Sequence, residues 1–141
     1  MNKLVFHHTK GPRLRQVRKL RAFILDRCHA LGYEINSLLI IFVDDETLLQ
    51  MNRDYLQHDY YTDILTFDMS TRPKIIEGEV YISMDRVQEN ANHYQVSYAS
   101  ECHRIIFHGI LHLVGFSDHT TEEKQRMTQQ EDDWLSSYFH P

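Results

Sequence analysis

The chain has 141 residues, of which 42% are hydrophobic and 25% are charged, and these values are ordinary for a soluble globular protein of one domain. No apolar run approaches the roughly 20 residues that a membrane-spanning helix needs, and the first residues are too polar for a signal peptide. The formal net charge of −5 argues against a protein that coats nucleic acid nonspecifically. We therefore expect a single cytoplasmic domain over residues 1–141, with neither a membrane nor DNA as a partner.

Apolar runs and turn residues predict four strands and five helices. The strands are predicted at residues 4–6, 38–43, 64–68 and 79–83. The helices are predicted at residues 12–31, 45–56, 84–93, 98–114 and 121–137. Pro12 suits the first turn of the first helix, and Gly32 suits the position just after its end. The expected fold class is α+β, with a mixed sheet of about four strands packed with about five helices.

Basic residues are concentrated near the N-terminus of this acidic chain. Between Lys10 and Arg27 the sequence has seven basic residues and one acidic residue, Asp26. A basic helix of this kind could bind a phosphate backbone. A solvated helix face would have the same composition, so both interpretations stay open.

The strongest chemical signal is a pair of histidines four residues apart, His108 and His112, in an apolar helix. Residues at this spacing share one helix face, so both rings can bind one metal ion, although two hydrogen-bonded core histidines are the alternative. Gly115 can adopt a positive φ and turn the chain back, which would supply His119 as a third ligand. Asp118 could instead orient one of the imidazoles. Three protein ligands leave a coordination position open, which is typical of a catalytic zinc site.

Position 109, between the two histidines, is glycine. Zinc peptidases with an HExxH helix carry their catalytic glutamate next to the first histidine. Peptidase activity by that mechanism is therefore disfavoured.

Four further residues have simple expected roles. Glu101, on the same helix as the histidine pair, is expected to face solvent. Asp63, just before the third strand, is expected either to approach the metal cleft or to serve in a turn. Cys28 and Cys102 form no CxxC pair and are expected to pack in the core.

Residues 108–119, with the sequence HGILHLVGFSDH, resemble the HGxLHLxGYDH signature of the YbeY family. Residues 51–55 (MNRDY) and 62–67 (TDILTF) resemble the LNxxYR and PTDVLSF blocks of that family, and residues 78–83 (GEVYIS) resemble its GDIxIS strand. The blocks follow the family order and cover about half of the chain, from residue 49 to residue 119.

The resemblance implies a metal-dependent endoribonuclease that prefers single-stranded RNA and acts in 16S ribosomal RNA 3′-end maturation and ribosome quality control. One divalent metal ion, expected to be zinc, would be bound by His108, His112 and His119. Nickel, cobalt or copper would suit the same imidazoles. A metal-bound water or the ribose 2′-hydroxyl would be the nucleophile, with Asp118 as a candidate catalytic residue. The implied partners are single-stranded precursor 16S rRNA and the ribosome or its small subunit. Candidate RNA contacts are Arg53, Arg86 and Arg104, and Arg13, Arg15 and Arg18 of the basic segment are further candidates for phosphate contacts.

Three positions depart from the family pattern. Leu56 stands where the family has an arginine implicated in RNA cleavage, and Tyr61 replaces the proline before the Thr-Asp pair. Ser117 is an extra residue, so His112 and His119 are seven residues apart instead of the usual six, and Asp118 becomes a candidate to replace His119 as the third ligand. A missing cation would remove stabilisation of the developing phosphorane charge. A second hypothesis therefore stays open, an RNA-binding ribosome-assembly factor whose metal is structural.

Overall fold

A computed structural model describes residues 3–9 and 11–141. Its strands are β1 (Leu4–His8), β2 (Glu34–Val43), β3 (Ile64–Asp68) and β4 (Ile75–Ser83). Its helices are α1 (Val17–Ala30), α2 (Asp45–Leu56), α3 (Met84–Tyr94), α4 (Tyr98–Leu113) and α5 (Thr121–Phe139). These elements confirm the predicted α+β class. Within the described residues, no helix has the length and apolar character needed to cross a membrane.

The four strands form one mixed sheet in the order β1-β2-β4-β3. β2 is central and pairs in parallel with β1 and with β4. β3 closes one side of the sheet and runs antiparallel to β4, with Ile64 opposite Ile82. Among the described residues, one backbone edge of β3 has no neighbouring strand, and β3 lines the candidate site described below.

The predicted start of α1 at Pro12 is wrong, because the helix begins at Val17. Gln16, the residue before the helix, has φ 53° and ψ 47°, a left-handed conformation that a continuous right-handed helix does not contain. The segment before α1 is anchored instead by His8, whose Nε2 accepts a hydrogen bond of 3.3 Å from the Leu14 N–H. The residues ahead of α1 are thus held against β1 and do not form a helical turn.

The sheet separates two hydrophobic clusters because alternate residues of a strand face opposite sides. The larger cluster joins Ile40 and Phe42 of β2 to α1, α3, α4 and α5, and it contains the fully buried Trp134. The smaller cluster packs Leu48 of α2 against Val43 and Leu65. Helix α4 lies within the larger cluster because most of its side chains are apolar.

Gly109 lies where α4 packs closely against β3 and β4. A Cβ at this position would lie 2.8 Å from Ile64 Cδ1 and 3.1 Å from Val80 Cγ1, so a larger residue here requires these two side chains to shift. The same close packing holds the adjacent His108 next to the edge strand β3.

Candidate metal centre

His108, His112 and Asp118 bring three ligand atoms together, all within 4.8 Å of one another. The Nε2 atoms of the two imidazoles are 3.1 Å apart. Asp118 Oδ2 lies 3.3 Å from His112 Nε2 and 3.5 Å from His108 Nε2. The three side chains are 24 to 34% exposed, so the group opens to solvent. Two imidazole nitrogens and one carboxylate oxygen form a donor set that suits a divalent transition metal such as zinc.

The turn after α4 brings Asp118 back to the two histidines. Gly115 has φ 99°, as the sequence predicted, and its N–H donates to the His112 carbonyl at 3.1 Å. The Phe116 N–H donates to the Leu111 carbonyl at 3.0 Å. These bonds satisfy the last carbonyls of the helix while the chain reverses direction.

His119, which the sequence indicates as the third ligand, is exposed and lies outside this group. The extra residue Ser117 explains the difference, because it places Asp118 at the family's spacing of six residues after His112. Asp118 is the replacement that the sequence suggests for His119. The identity of the third ligand stays a prediction.

Glu131 of α5 fixes the orientation of the His108 ring. The His108 Nδ1–H donates to Glu131 Oε2 at 2.6 Å, so the lone pair of Nε2 points toward His112 and Asp118. Arg104 Nη1 donates to the other carboxylate oxygen of Glu131 at 2.8 Å, and its Nη2 donates to Asp132 at 2.5 Å. Burial lowers the pKa of His108, but the Glu131 hydrogen bond and the neighbouring carboxylates outweigh burial and raise it overall.

A groove runs past the metal-binding group along the edge of β3. It encloses about 480 Å³ and is lined by Thr62, Asp63, Ile64, Leu65, Thr66, Asp68, His108, His112, Leu113 and Asp118. Asp63 thus approaches the metal cleft, one of the two roles that the sequence allows for it. Burial raises the pKa of Asp63, although the nearby His108 opposes this effect. A carboxyl group with a raised pKa beside a groove is suited to proton transfer.

A second cavity, of about 510 Å³, shares Asp63, Ile64 and His108 with this groove. Glu101 lines it and is only 5% exposed, so the expectation that Glu101 faces solvent is wrong. Burial raises the pKa of Glu101, and the charge of Arg104 opposes that rise. The helix turn that carries Glu101 packs toward α3 and α5, which a pattern within α4 alone does not reveal.

Three of the arginines predicted to contact RNA, Arg53, Arg86 and Arg104, are paired with carboxylates. Arg53 Nε lies 2.5 Å from Asp59 Oδ1, and Arg86 Nε lies 3.1 Å from Asp45 Oδ1. Arg104, which pairs with Glu131, lines the second cavity together with His108. Neither Arg53 nor Arg86 is among the described residues that line the groove or the second cavity.

Glu131 is the site residue that the sequence prediction missed. It lies on a different helix from His108, 23 residues further along the chain, so spacing within one helix does not reveal it. A signal was nevertheless present. Residues 127, 131, 134 and 138 occupy one face of α5, and Glu131 is the only charged residue among three apolar or aromatic neighbours, Met127, Trp134 and Tyr138.

Comparison with known proteins gives the same family across most of the chain. The family model described as endoribonuclease YbeY matches residues 8–139. An endoribonuclease YbeY of Cytophaga hutchinsonii is 48% identical over 87% of this chain and 86% of the relative. An endoribonuclease YbeY of Bacteroides thetaiotaomicron is 37% identical over 94% of this chain and 97% of the relative.

One solved structure supports the fold independently of close sequence similarity. It is the solution structure of TM1509 from Thermotoga maritima, which aligns with a TM-score of 0.63 at 21% identity. The alignment covers 96% of this chain and 89% of the Thermotoga chain. At this identity the likeness shows the fold alone. The family match and the similarity to the curated relatives show that the chain belongs to the endoribonuclease YbeY family.

Proposed function

We propose that this chain is a metal-dependent endoribonuclease that cuts single-stranded RNA and acts in 16S ribosomal RNA 3′-end maturation and ribosome quality control. Membership in the endoribonuclease YbeY family supports the nuclease activity. The observation that carries the metal dependence is the group of His108, His112 and Asp118 in an open groove. Residues 1–141 are proposed to act as one domain, because the larger hydrophobic cluster includes residues from β1 and from α5.

The donor atoms of this group support one divalent ion, with zinc proposed, held by His108, His112 and Asp118. When bound, such an ion polarises a phosphoryl oxygen and lowers the pKa of water toward neutrality. The protein's own contribution is orientation. Glu131 keeps the Nδ1 proton on His108, Arg104 holds Glu131 in place, and the Gly115 turn positions Asp118.

Asp63 is proposed to hold or transfer a proton in the groove. It lies at the N-terminal end of β3, where the Asn52 side chain anchors the preceding loop by donating to the Tyr60 carbonyl at 2.9 Å. The Asn90 amide lies 3.4 Å from the Asp63 carboxylate. These contacts support a fixed position for a carboxyl group that can meet a substrate lying along the edge of β3.

RNA contacts by Arg53, Arg86 and Arg104 remain part of the proposal, with Arg104 the best supported because it lines a cavity that contains His108. Leu56, at the position of the family's arginine, is 43% exposed at the end of α2. The exposure leaves room for a longer side chain there. The precursor of 16S rRNA and the small ribosomal subunit are proposed partners on the strength of family membership.

The alternative function is an RNA-binding assembly factor with a structural metal. A structural zinc site is normally closed by four protein ligands. The group found among the described residues offers three, and this number favours catalysis.

The test compares cleavage of three end-labelled substrates of one sequence: single-stranded RNA, the RNA duplex, and single-stranded DNA. We expect the single-stranded RNA to be cut at internal positions at least tenfold faster than the duplex, and the DNA to stay intact. His112→Ala protein, purified in the same way, controls for contaminating ribonuclease. Equal rates on the single strand and the duplex would contradict the proposed substrate. Binding of RNA without cleavage, at full metal content, would favour the assembly factor.

A further inference from the structure

A further cavity lies on another side of α4 from the metal-binding group. It encloses about 630 Å³ between the segment before α1, the first turns of α4 and the end of α5. Among the described residues, its lining shares no member with the groove or with the second cavity. His103, which lines it, precedes His108 by five residues, and five residues turn the helix by about 140° beyond a full turn. A ligand here would therefore not touch the metal ligands.

The charge of this cavity is opposite to that of the whole protein. Arg13, Arg15 and Lys19 line it, and no carboxylate side chain is among the described lining residues. Within residues 3–9 and 11–141, none of the ion pairs involves any of these three cations. In contrast, Arg53 and Arg86 are each paired with an acid. Three unneutralised cations around one concavity on a chain of net charge −5 favour an anionic ligand.

The walls of the cavity are built from fixed aromatic side chains. Tyr138, 3% exposed, stacks on His103 with ring centroids 5.2 Å apart. Lys19 Nζ lies 4.6 Å from the centroid of the Tyr138 ring. Phe139 is 40% exposed and contacts both His103 and Tyr138 edge-on at 5.0 Å. An exposed ring on a rigid aromatic base is a platform on which a nucleobase can stack.

We propose that this cavity binds one nucleotide unit, with its phosphate against Arg13, Arg15 and Lys19 and its base stacked on Phe139. The volume lies within the range of about 300–1,000 Å³ that is typical of small-ligand sites. Two sources share this chemistry, a nucleotide within a single-stranded RNA and a free nucleoside monophosphate. Only binding of a nucleotide within single-stranded RNA rests on the proposed endoribonuclease function.

The experiment measures binding to chelator-treated protein, in which RNA stays uncut. One probe is a fluorescein-labelled single-stranded RNA 12-mer and the other is labelled adenosine monophosphate, each followed by anisotropy at several salt concentrations. The variants are Arg13→Gln/Lys19→Gln and Phe139→Leu. The matched control is Arg72→Gln/Lys74→Gln, which removes two positive charges from the β3–β4 connection. Thermal unfolding of each variant shows that it is folded.

We expect Arg13→Gln/Lys19→Gln to raise the dissociation constant of the RNA about tenfold, while the control pair changes it less than twofold. The plot of the logarithm of the association constant against the logarithm of the salt concentration has a negative slope. The magnitude of this slope should decrease by about 0.7 for each phosphate that no longer contacts a cation. Phe139→Leu should weaken binding several-fold with no change of slope. Parallel decreases in affinity for adenosine monophosphate would assign the site to free nucleotides as well, and a decrease for RNA alone would assign it to the strand.

Unchanged binding of both probes in Arg13→Gln/Lys19→Gln would overturn the proposal, and so would an equal decrease in the control pair. If Phe139→Leu binds RNA as tightly as the wild type, the base does not stack on Phe139 and that part of the proposal is wrong. If the wild type cuts no RNA while the variants still bind more weakly, the proposed nuclease function fails and this site stands.

Discussion

Glu131 and His108 lie on different helices, yet Glu131 Oε2 accepts a hydrogen bond of 2.6 Å from His108 Nδ1. A carboxylate can only accept, so this contact places a proton on Nδ1 of His108. Glu131 is 7% exposed and is compensated by Arg104, and this pairing offsets the cost of burying its charge. The orientation of the His108 ring is therefore fixed by α5, a helix that contributes no member to the metal-binding group found among the described residues.

Replacing Glu131 by glutamine is expected to weaken zinc binding about 10- to 100-fold, as is typical when the partner that orients a metal-binding histidine is changed. The glutamine keeps the shape but loses the charge that favours the Nδ1–H form. Asp132→Asn is the matched control, because Asp132 also pairs with Arg104 but makes no contact with His108 among the described bonds. Zinc affinity would be measured by competition with a chelating dye. Equal effects of the two substitutions would contradict the role given to Glu131.

The third ligand can be identified by comparing Asp118→Asn with His119→Asn. Asp118 Oδ2 lies 3.3 Å from His112 Nε2, whereas His119 is exposed and outside the group. We expect Asp118→Asn to lower zinc affinity at least tenfold and His119→Asn to leave it within twofold. The readout is metal content after dialysis, together with the dye competition. The reverse order of effects would make His119 the ligand.

Gly115→Ala is expected to destabilise the fold by about 1–2 kcal/mol, since a residue with a side chain resists the left-handed region. Gly115 has φ 99°, and the cost comes from the backbone because a Cβ would meet nothing closer than Tyr33 Oη at 3.4 Å. The free energy of unfolding would be measured in urea. Equal stability of the alanine variant would show that the turn adapts without strain.

The loop that carries Asp118 leads into a capping box at the start of α5. The Thr120 N–H donates to Glu123 Oε1 at 2.9 Å, and the Glu123 N–H donates back to Thr120 Oγ1 at 3.1 Å. The Thr120 N–H bond is the main reason that the pKa of Glu123 lies below its ordinary value of 4.5, and bonds to Ser117 and the His119 backbone add to it. The box therefore ties both the loop and the helix to one carboxylate.

A carboxyl group whose pKa is lower in the folded than in the unfolded state stabilises the fold at pH values above its unfolded pKa. This stabilisation is lost as the pH falls through the folded pKa. Wild type should therefore be more stable than Glu123→Gln at neutral pH. The difference should shrink as the pH drops below about 4.5 and vanish in stronger acid. Urea unfolding across this pH range measures it, with Glu122→Gln as a neighbour that loses charge but no capping bond. A difference that is constant with pH, or larger in acid, would contradict the assignment.

The sequence is a good guide to elements whose cause is local. The apolar run of β2, the Asp44 cap of α2 and the capping box at Thr120 each depend on residues within a few positions, and all three are observed. The start of α1 was missed because the left-handed Gln16 and the His8 contact that anchors Leu14 depend on tertiary packing.

The same distinction applies to the candidate site. His108, His112 and the Gly115 turn follow from helix periodicity and glycine chemistry, so they could be predicted. Glu131, and the burial of Glu101, depend on how α5 and α3 pack against α4. Neither follows from a pattern within one helix, although a lone carboxylate in an apolar stripe, as at position 131, is a useful sign.

The most direct test of metal-dependent cleavage measures bound metal and single-stranded RNA cleavage on the same samples. These are wild type, chelator-treated wild type, chelator-treated wild type with zinc restored, and His112→Ala. We predict one metal ion per chain and cleavage in the wild type, loss of both on chelation and in His112→Ala, and recovery of both with zinc. Full cleavage by metal-free protein, or by His112→Ala, would contradict the metal-dependent mechanism.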